Sequence, residues 1–156
     1  MPIFSIRDAK ELDLNELNVV MRNAKEYWGY DELFLNRYME HFAITPAYCA
    51  SATTKVLIIN NKICGIYSLS INKNDQPELD NIFIHPDYIG QGYGKILWQD
   101  ICKTAKAKGW SILTIWSDPN AQGFYETMGC YKVGERRSPT SVASNRITPV
   151  MEYCLS

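Results

Sequence analysis

Apolar and polar positions change period several times along the chain, and each change predicts an element. Residues 3–7, IFSIR, read as a short strand. Leu14, Leu17, Val20, Met21 and Ala24 then recur at helical spacing, with Asp8 or Asp13 available as a cap, and predict a helix to about Tyr27. Gly29 interrupts it. DELFLNRYMEHF starts a second helix with Leu33, Leu35, Tyr38 and Phe42 mostly inward, ending before Pro46. From Ala52 to Ser70 the period shortens to that of strands, TTKVLIIN and KICGIYSLSI, with Asn60-Asn61 as a tight hairpin turn between them. Polar NKNDQP leads into a further strand over 78–84. Strict alternation there sets Leu79, Asn81 and Phe83 on one face and Glu78, Asp80, Ile82 and Ile84 on the other.

His85-Pro86-Asp87 stops that strand, and Leu97, Ile101 and Ala105 mark a helix over about 93–108 that Gly109 caps. SILTIWS gives the next strand, so strand, helix and strand form a βαβ unit with parallel strands and a right-handed crossover. Asp118 or Asn120 can cap a short helix carrying Phe124, Tyr125 and Met128, which Gly129 ends before another strand. A loop from Arg137 to Asn145 and a last strand follow, and Pro149 in that strand points to a sheet edge or a bulge.

Size and composition narrow the class. With 156 residues, 46% hydrophobic and 21% charged, the chain is expected to form one domain, 1–156, with a substantial core. A net charge of −1 predicts no nucleic-acid partner and no anionic-membrane partner. The N-terminus has no apolar targeting core and no run approaches the roughly 20 apolar residues of a membrane span, so a soluble, cytoplasmic protein is expected. Five cysteines in no paired spacing read as reduced core thiols, and with two histidines they offer no metal-ligand cluster.

Candidate chemistry concentrates where the strand over 78–84 runs into Gly90, Gly92 and Gly94 ahead of a helix. Such a loop exposes backbone N–H groups that the helix start leaves unpaired, and the helix dipole adds positive potential, so phosphate is the expected guest. A tight turn into a helix uses the same residues. A Walker loop is excluded because Lys95 stands where its second glycine belongs. A dinucleotide fingerprint fails because Lys95 or Leu97 occupies the third glycine position.

The run Ile89-Gly90-Gln91-Gly92-Tyr93-Gly94 instead resembles the acetyl-CoA loop of the GNAT superfamily of N-acetyltransferases, [QR]-x-x-G-x-[GA], although Ile89 replaces Gln or Arg and Lys95 is a candidate substitute. Ala121-Gln122-Gly123-Phe124-Tyr125 with Gly129 resembles that family's second block, in the right order behind it.

The resemblance implies an α/β fold with a mixed, mostly antiparallel sheet of six or seven strands and about four helices. Its two parallel strands splay apart to admit acyl-CoA. It implies acetyl-CoA as cosubstrate, with Ile82, Phe83 and Ile84 along the pantetheine and the acetyl carbonyl. Gly90, Gln91, Gly92, Tyr93, Gly94 and Lys95 fall on the pyrophosphate, and Asn120, Phe124 and Tyr125 on the opposite wall. By that resemblance an amine attacks the thioester, with Tyr125 as acid toward the leaving sulfur. Glu78 and Asp80, sharing the face of Ile82, are candidate bases, although a solvated strand start is an equal reading of them.

The resemblance implies an acceptor pocket built partly from the segment joining the first two helices, where Tyr27, Trp28 and Tyr30 offer ring faces, and core packing explains them as well. The expected acceptor is a small-molecule amine, with a peptide or protein amine as the alternative. The resemblance also draws the last loop into that pocket, where Arg136 and Arg137 offer the alternative of binding a carboxylate on the acceptor, which would favour an amino acid. A binding module without turnover is the rival class, and a homodimer is left open.

Overall fold

The computed structural model describes residues 2–139, 142–143 and 146–155, and its core is a seven-stranded sheet in the order β1-β2-β3-β4-β5-β7-β6. The strands are β1 Phe4–Asp8, β2 Thr53–Ile59, β3 Lys62–Ile71, β4 Pro77–Ile84, β5 Ile112–Trp116, β6 Tyr131–Arg137 and β7 Ile147–Cys154. The helices are α1 Leu14–Tyr27, α2 Glu32–Phe42, α3 Pro46–Ser51, α4 Tyr93–Ala107 and α5 Gln122–Thr127, with three short 3₁₀ turns between elements. Every strand pair is antiparallel except β4 with β5.

Two cores flank the sheet. On one side Leu97, Trp98 and Ile101 of α4 pack on Leu57, Tyr67, Leu79 and Leu113. On the other, Leu17, Met21 and Ala24 of α1 and Tyr38 of α2 pack on Val56, Ile66 and Phe83. The hairpin expected at Asn60-Asn61 forms, and both residues have positive φ (51° and 65°), as a type I′ turn requires.

Three features depart from the sequence reading. An additional helix, α3, follows Pro46, where the sequence pointed only to an ending: Thr45 accepts a hydrogen bond from the Tyr48 N–H and Pro46 takes the first helical position. β7 is not an edge strand, because it lies between β5 and β6. Pro149 sits just past the last β5 partner, opposite Glu135, and its carbonyl accepts from the Ser117 N–H at 2.9 Å. The register irregularity expected of that region falls in β6, between Lys132 and Gly134.

The third departure bears on the site. Ser68 pairs with Asn81 but Leu69 pairs with Leu79, so Asp80 is the extra residue of a bulge and the face alternation flips there. Leu79 therefore lies in the α4 core while Phe83 lies in the α1 core. The expectation that Leu79 shares a face with Phe83, and Glu78 with Ile82, is corrected by this inserted residue.

β4 and β5 pair at only two positions, Glu78 with Thr114 and Leu79 with Ile115. Past them β4 continues to Ile84 with no strand on that edge, and the chain after β5 turns away at Ser117 and Asp118. This opening positions the site.

Candidate active site

Two cavities are lined by successive stretches of β4, Glu78–Asn81 in one and Ile82–Ile84 in the other. The smaller, about 420 Å³, is bounded by Ile82, Phe83 and Ile84, by Gly90, Gly92, Tyr93, Gly94 and Lys95, by Asn120 and Phe124, and by Tyr27 and Trp28 of α1. The larger, about 710 Å³, is bounded by Glu78, Asp80 and Asn81 of β4, by Tyr48, by Lys25, Tyr38 and Asp118, and by Arg136, Arg137 and Arg146 from the β6–β7 end.

In the smaller cavity Gly90 (φ 80°) and Gly92 (φ 88°) adopt the left-handed conformation, and Gly92 caps α4 without any side-chain acceptor for the first helical N–H groups. The first backbone bond back to the loop is Ile96 N–H to the Gly92 carbonyl at 3.2 Å, which leaves the N–H groups of the preceding turn facing the cavity. Chain neighbours aside, no atom of the described residues comes within 4 Å of the position a Cβ would take at Gly92, so the space beside the loop is open to a guest. Gly94 is favoured by packing instead: a Cβ there would stand 3.0 Å from Phe124 Cε1 and would need the ring to give way. The Tyr93 hydroxyl is buried without a hydrogen-bond partner among the described residues. Uncapped N–H groups, open space and an orphaned hydroxyl fit an elongated, polyanionic ligand of the acyl-CoA kind.

Of the glycine-run residues, Gln91 does not line this cavity; its Nε2 donates to the Asp87 carbonyl at 3.1 Å and steadies the loop. Tyr27 and Trp28, expected beside the acceptor, line the cavity of the glycine run instead, because α1 ends alongside β4. Tyr30 lines neither cavity: its ring stacks on Phe34 and its hydroxyl donates to Asp118 at 2.9 Å.

Glu78 and Asp80 line the larger cavity together. The Tyr48 hydroxyl bonds Asp80 and lies 2.9 Å from Ser68 Oγ, which also accepts from Asn81 Nδ2 at 2.8 Å. Burial raises the Glu78 carboxyl above its ordinary range, and the Asp80 charge adds to this against the pull of Asn72 and Arg136. Burial likewise raises Asp80, opposed by bonds from Ser70 and Tyr48. Both are thus shifted toward the pH range of a useful base.

The sequence reading missed a cluster of buried charges. Lys25 Nζ donates to Asp118 Oδ2 at 2.5 Å, and Arg146 Nη2 donates to the same oxygen at 2.8 Å. The side chains of Lys25 and Asp118 are 3% and 6% exposed. Lys25 Nζ also lies 4.4 Å from the Tyr38 ring centroid. Burial lowers the Lys25 pKa to about 8 despite its partner. Burial alone would raise the Asp118 carboxyl, but Lys25, the Asn120 N–H and Arg146 hold it below its ordinary value. Asp118 thereby ties α1, the end of β5 and the start of β7 around the mouth of the splay. One signal was present in the sequence: Lys25 stands four residues after Met21, on the apolar stripe of α1.

Tyr125 is 5% exposed and packs edge-on against Trp98. Burial raises its pKa, and its hydroxyl feels the charge of Asp118. It lines neither cavity directly; its neighbour Phe124 does.

Residues 48–143 match the family model described as an acetyltransferase (GNAT) domain. Among curated relatives, the uncharacterized N-acetyltransferase ycf52 of Gracilaria tenuistipitata var. liui is 37% identical over 49 residues, covering 31% of this chain and 27% of that protein. Its counterpart in Pyropia yezoensis is 25% identical over 73 residues, covering 47% and 42%. The chain thus matches less than half the length of these relatives. Among solved structures, the PaiA N-acetyltransferase of Thermoplasma acidophilum, in complex with coenzyme A, superposes with a TM-score of 0.78 at 18% identity, over 97% of this chain and 99% of that one. A GCN5-related N-acetyltransferase from Rhodopseudomonas palustris superposes with a TM-score of 0.80 at 21% identity, over 98% and 95%. At these identities the likeness is one of fold.

Proposed function

We propose that this chain, which belongs to the GNAT acetyltransferase domain family, transfers an acetyl group from acetyl-CoA to a primary amine of a small molecule by direct attack on the thioester. The observation that carries the reading is that consecutive residues of β4, at and beyond the end of its pairing with β5, line the two cavities: one suits a pantetheine and pyrophosphate chain, the other presents carboxylates to an amine. Acetyl-CoA would supply an activated acyl carbon with a thiolate as leaving group. The glycine run and the start of α4 would hold its pyrophosphate, and Ile82–Ile84 would bond its pantetheine as an added strand does. A backbone N–H on that edge near Phe83 or Ile84 would receive the developing oxyanion. The bulge at Asp80 twists the strand just before this point.

The acceptor amine must arrive neutral. Glu78 and Asp80, held deprotonated above their raised pKa values, would take its proton directly or through water. For a base of this kind kcat/KM falls as pH drops through the raised pKa, so the acid limb is expected above the ordinary carboxylate values of 4.5 and 3.8. Glu78→Gln is expected to lower kcat by about 10², toward the lower end of the range for a general base, and to change the position of the acid limb. The same variant is expected to raise the melting temperature near neutral pH. A carboxyl whose folded pKa is raised binds its proton more tightly in the folded state, so stability is lost as pH climbs from 4.5 through the folded value, and the neutral amide escapes that loss. Pre-steady-state kinetics and thermal unfolding across pH check both arms. An unchanged kcat would make Glu78 part of the wall.

Tyr125 is the candidate acid. Its raised pKa keeps the hydroxyl protonated at neutral pH. Because a thiol of pKa about 8.5 leaves readily as thiolate, the acid matters only moderately. Tyr125→Phe is expected to lower kcat by about 10² while acetyl-CoA affinity stays within a few-fold, measured by single-turnover kinetics and calorimetry. Unchanged kcat would assign Tyr125 to the core alone.

A further inference from the structure

We infer that the acceptor is a free amino acid or a similar small amine bearing a carboxylate, its amine at Glu78 and Asp80 and its carboxylate at Arg136. This rests on the acyl-transfer reading of the site and names the acceptor class within it. The larger cavity is sorted by charge: the two carboxylates sit on β4, and the guanidinium groups come from the far end of β6 and the start of β7. Of its cations, Lys25 and Arg146 are both engaged by Asp118.

Arg136 differs from them. It makes no ion pair among the described residues, and its guanidinium lies over the Trp116 ring, 3.1 Å from the centroid. A guanidinium lying over a ring has N–H groups left at its rim for a carboxylate, and its planar fork matches two carboxylate oxygens. The Arg136 charge reaches Glu78 electrostatically although the two form no salt bridge, which sets the acidic and basic walls near each other but apart. A zwitterion with one amine and one carboxylate complements both walls. A diamine would instead bring a second cation toward Arg136, Arg137 and Arg146, and the first residue of a peptide would offer an amide where the carboxylate is wanted. A cavity of about 710 Å³ holds an amino acid with any side chain.

The test is calorimetric binding to the CoA-saturated protein of glutamate, methionine, phenylalanine and lysine, each alongside its α-amide, with putrescine and a tripeptide as further arms. At least one free amino acid is expected to bind about tenfold or more tightly than its amide, as loss of a charge-assisted bond implies. Arg136→Gln should abolish that preference and Arg136→Lys should restore part of it. Arg136 is exposed, so these variants are expected to fold. The inference is overturned if no amino acid outbinds its amide, if putrescine or the tripeptide binds best, or if the preference survives Arg136→Gln. Thiol release with the same compounds separates the two levels: turnover of putrescine or the tripeptide alone keeps acyl transfer and removes the carboxylate, whereas turnover of none removes acyl transfer itself.

Discussion

Asp118→Ala is expected to destabilise the protein by about 3–5 kcal/mol, the range for breaking a buried ion pair by removing one partner. Three observations put the substitution at this end of the scale. The Asp118 side chain is 6% exposed, the Lys25 side chain 3%, and both Lys25 and Arg146 donate to one carboxylate oxygen. Removing that carboxylate leaves two cations side by side, and the Arg146 charge already works against the protonated form of Lys25. It also removes the acceptor for the Asn120 N–H at 2.8 Å that caps the turn into α5. Lys25→Met should be markedly milder, because Asp118 keeps Arg146. Chemical denaturation of the two variants, read as ΔΔG at constant slope, checks the order. Equal losses would mean that the cluster is held by Lys25 and not centred on Asp118.

Gly92→Val is expected to weaken acetyl-CoA binding more than a hundredfold while the protein stays folded. Gly92 has a φ of 88°, and a β-branched residue held there is strained by roughly 1–2 kcal/mol. The loop relieves that strain by rotating, and rotation turns away the N–H groups of the first turn of α4. Losing two hydrogen bonds to a charged group, at about 1.5–3 kcal/mol each, exceeds the 2.8 kcal/mol that a hundredfold change in affinity needs. The side chain itself would also enter the open space beside the loop. Calorimetry on a variant with unchanged circular dichroism measures the effect. Affinity within a few-fold of the parent would remove the pyrophosphate from this loop.

What the sequence made legible was local. The Asn60-Asn61 hairpin, the strand into the glycine run, α4 and the turn into α5 each depend on turn or capping residues that stand next to the elements they define. The family match, residues 48–143, covers this same stretch. What was not legible depends on inserted residues or on distant partners. Alternation through Glu78–Ile84 fails because Asp80 is bulged, and nothing in ELDNIFI marks which residue is extra. As a result Glu78 and Asp80 face the cavity beside α1 and α3, away from the side of Ile82. Pro149 signals an edge or a bulge because it lacks an N–H; β5 ends before reaching it, so an inner strand tolerates it, and the irregularity lies in the pairing with β6.

The Lys25–Asp118–Arg146 cluster joins residues 93 and 28 positions apart, a separation that no local pattern reports. A lysine on an apolar helical stripe was its only trace. The resemblance puts the acceptor pocket in the segment joining the first two helices, and the ring faces of Tyr27 and Trp28 suit it. Their cavity is decided instead by where α1 ends against β4, a matter of packing.

Acyl transfer in this chain requires acetyl-CoA in the cavity of the glycine run and an amine in the cavity of Glu78 and Asp80 at the same time. The most direct measurement follows free thiol released from acetyl-CoA, with mass detection of the acceptor, across a panel of amino acids, diamines, amino sugars and peptides. The account predicts release that depends on an added amine, with one acetylated amine formed per thiol and with both lost in Gly92→Val. Tight acetyl-CoA binding with no amine-dependent thiol release from any compound would contradict it.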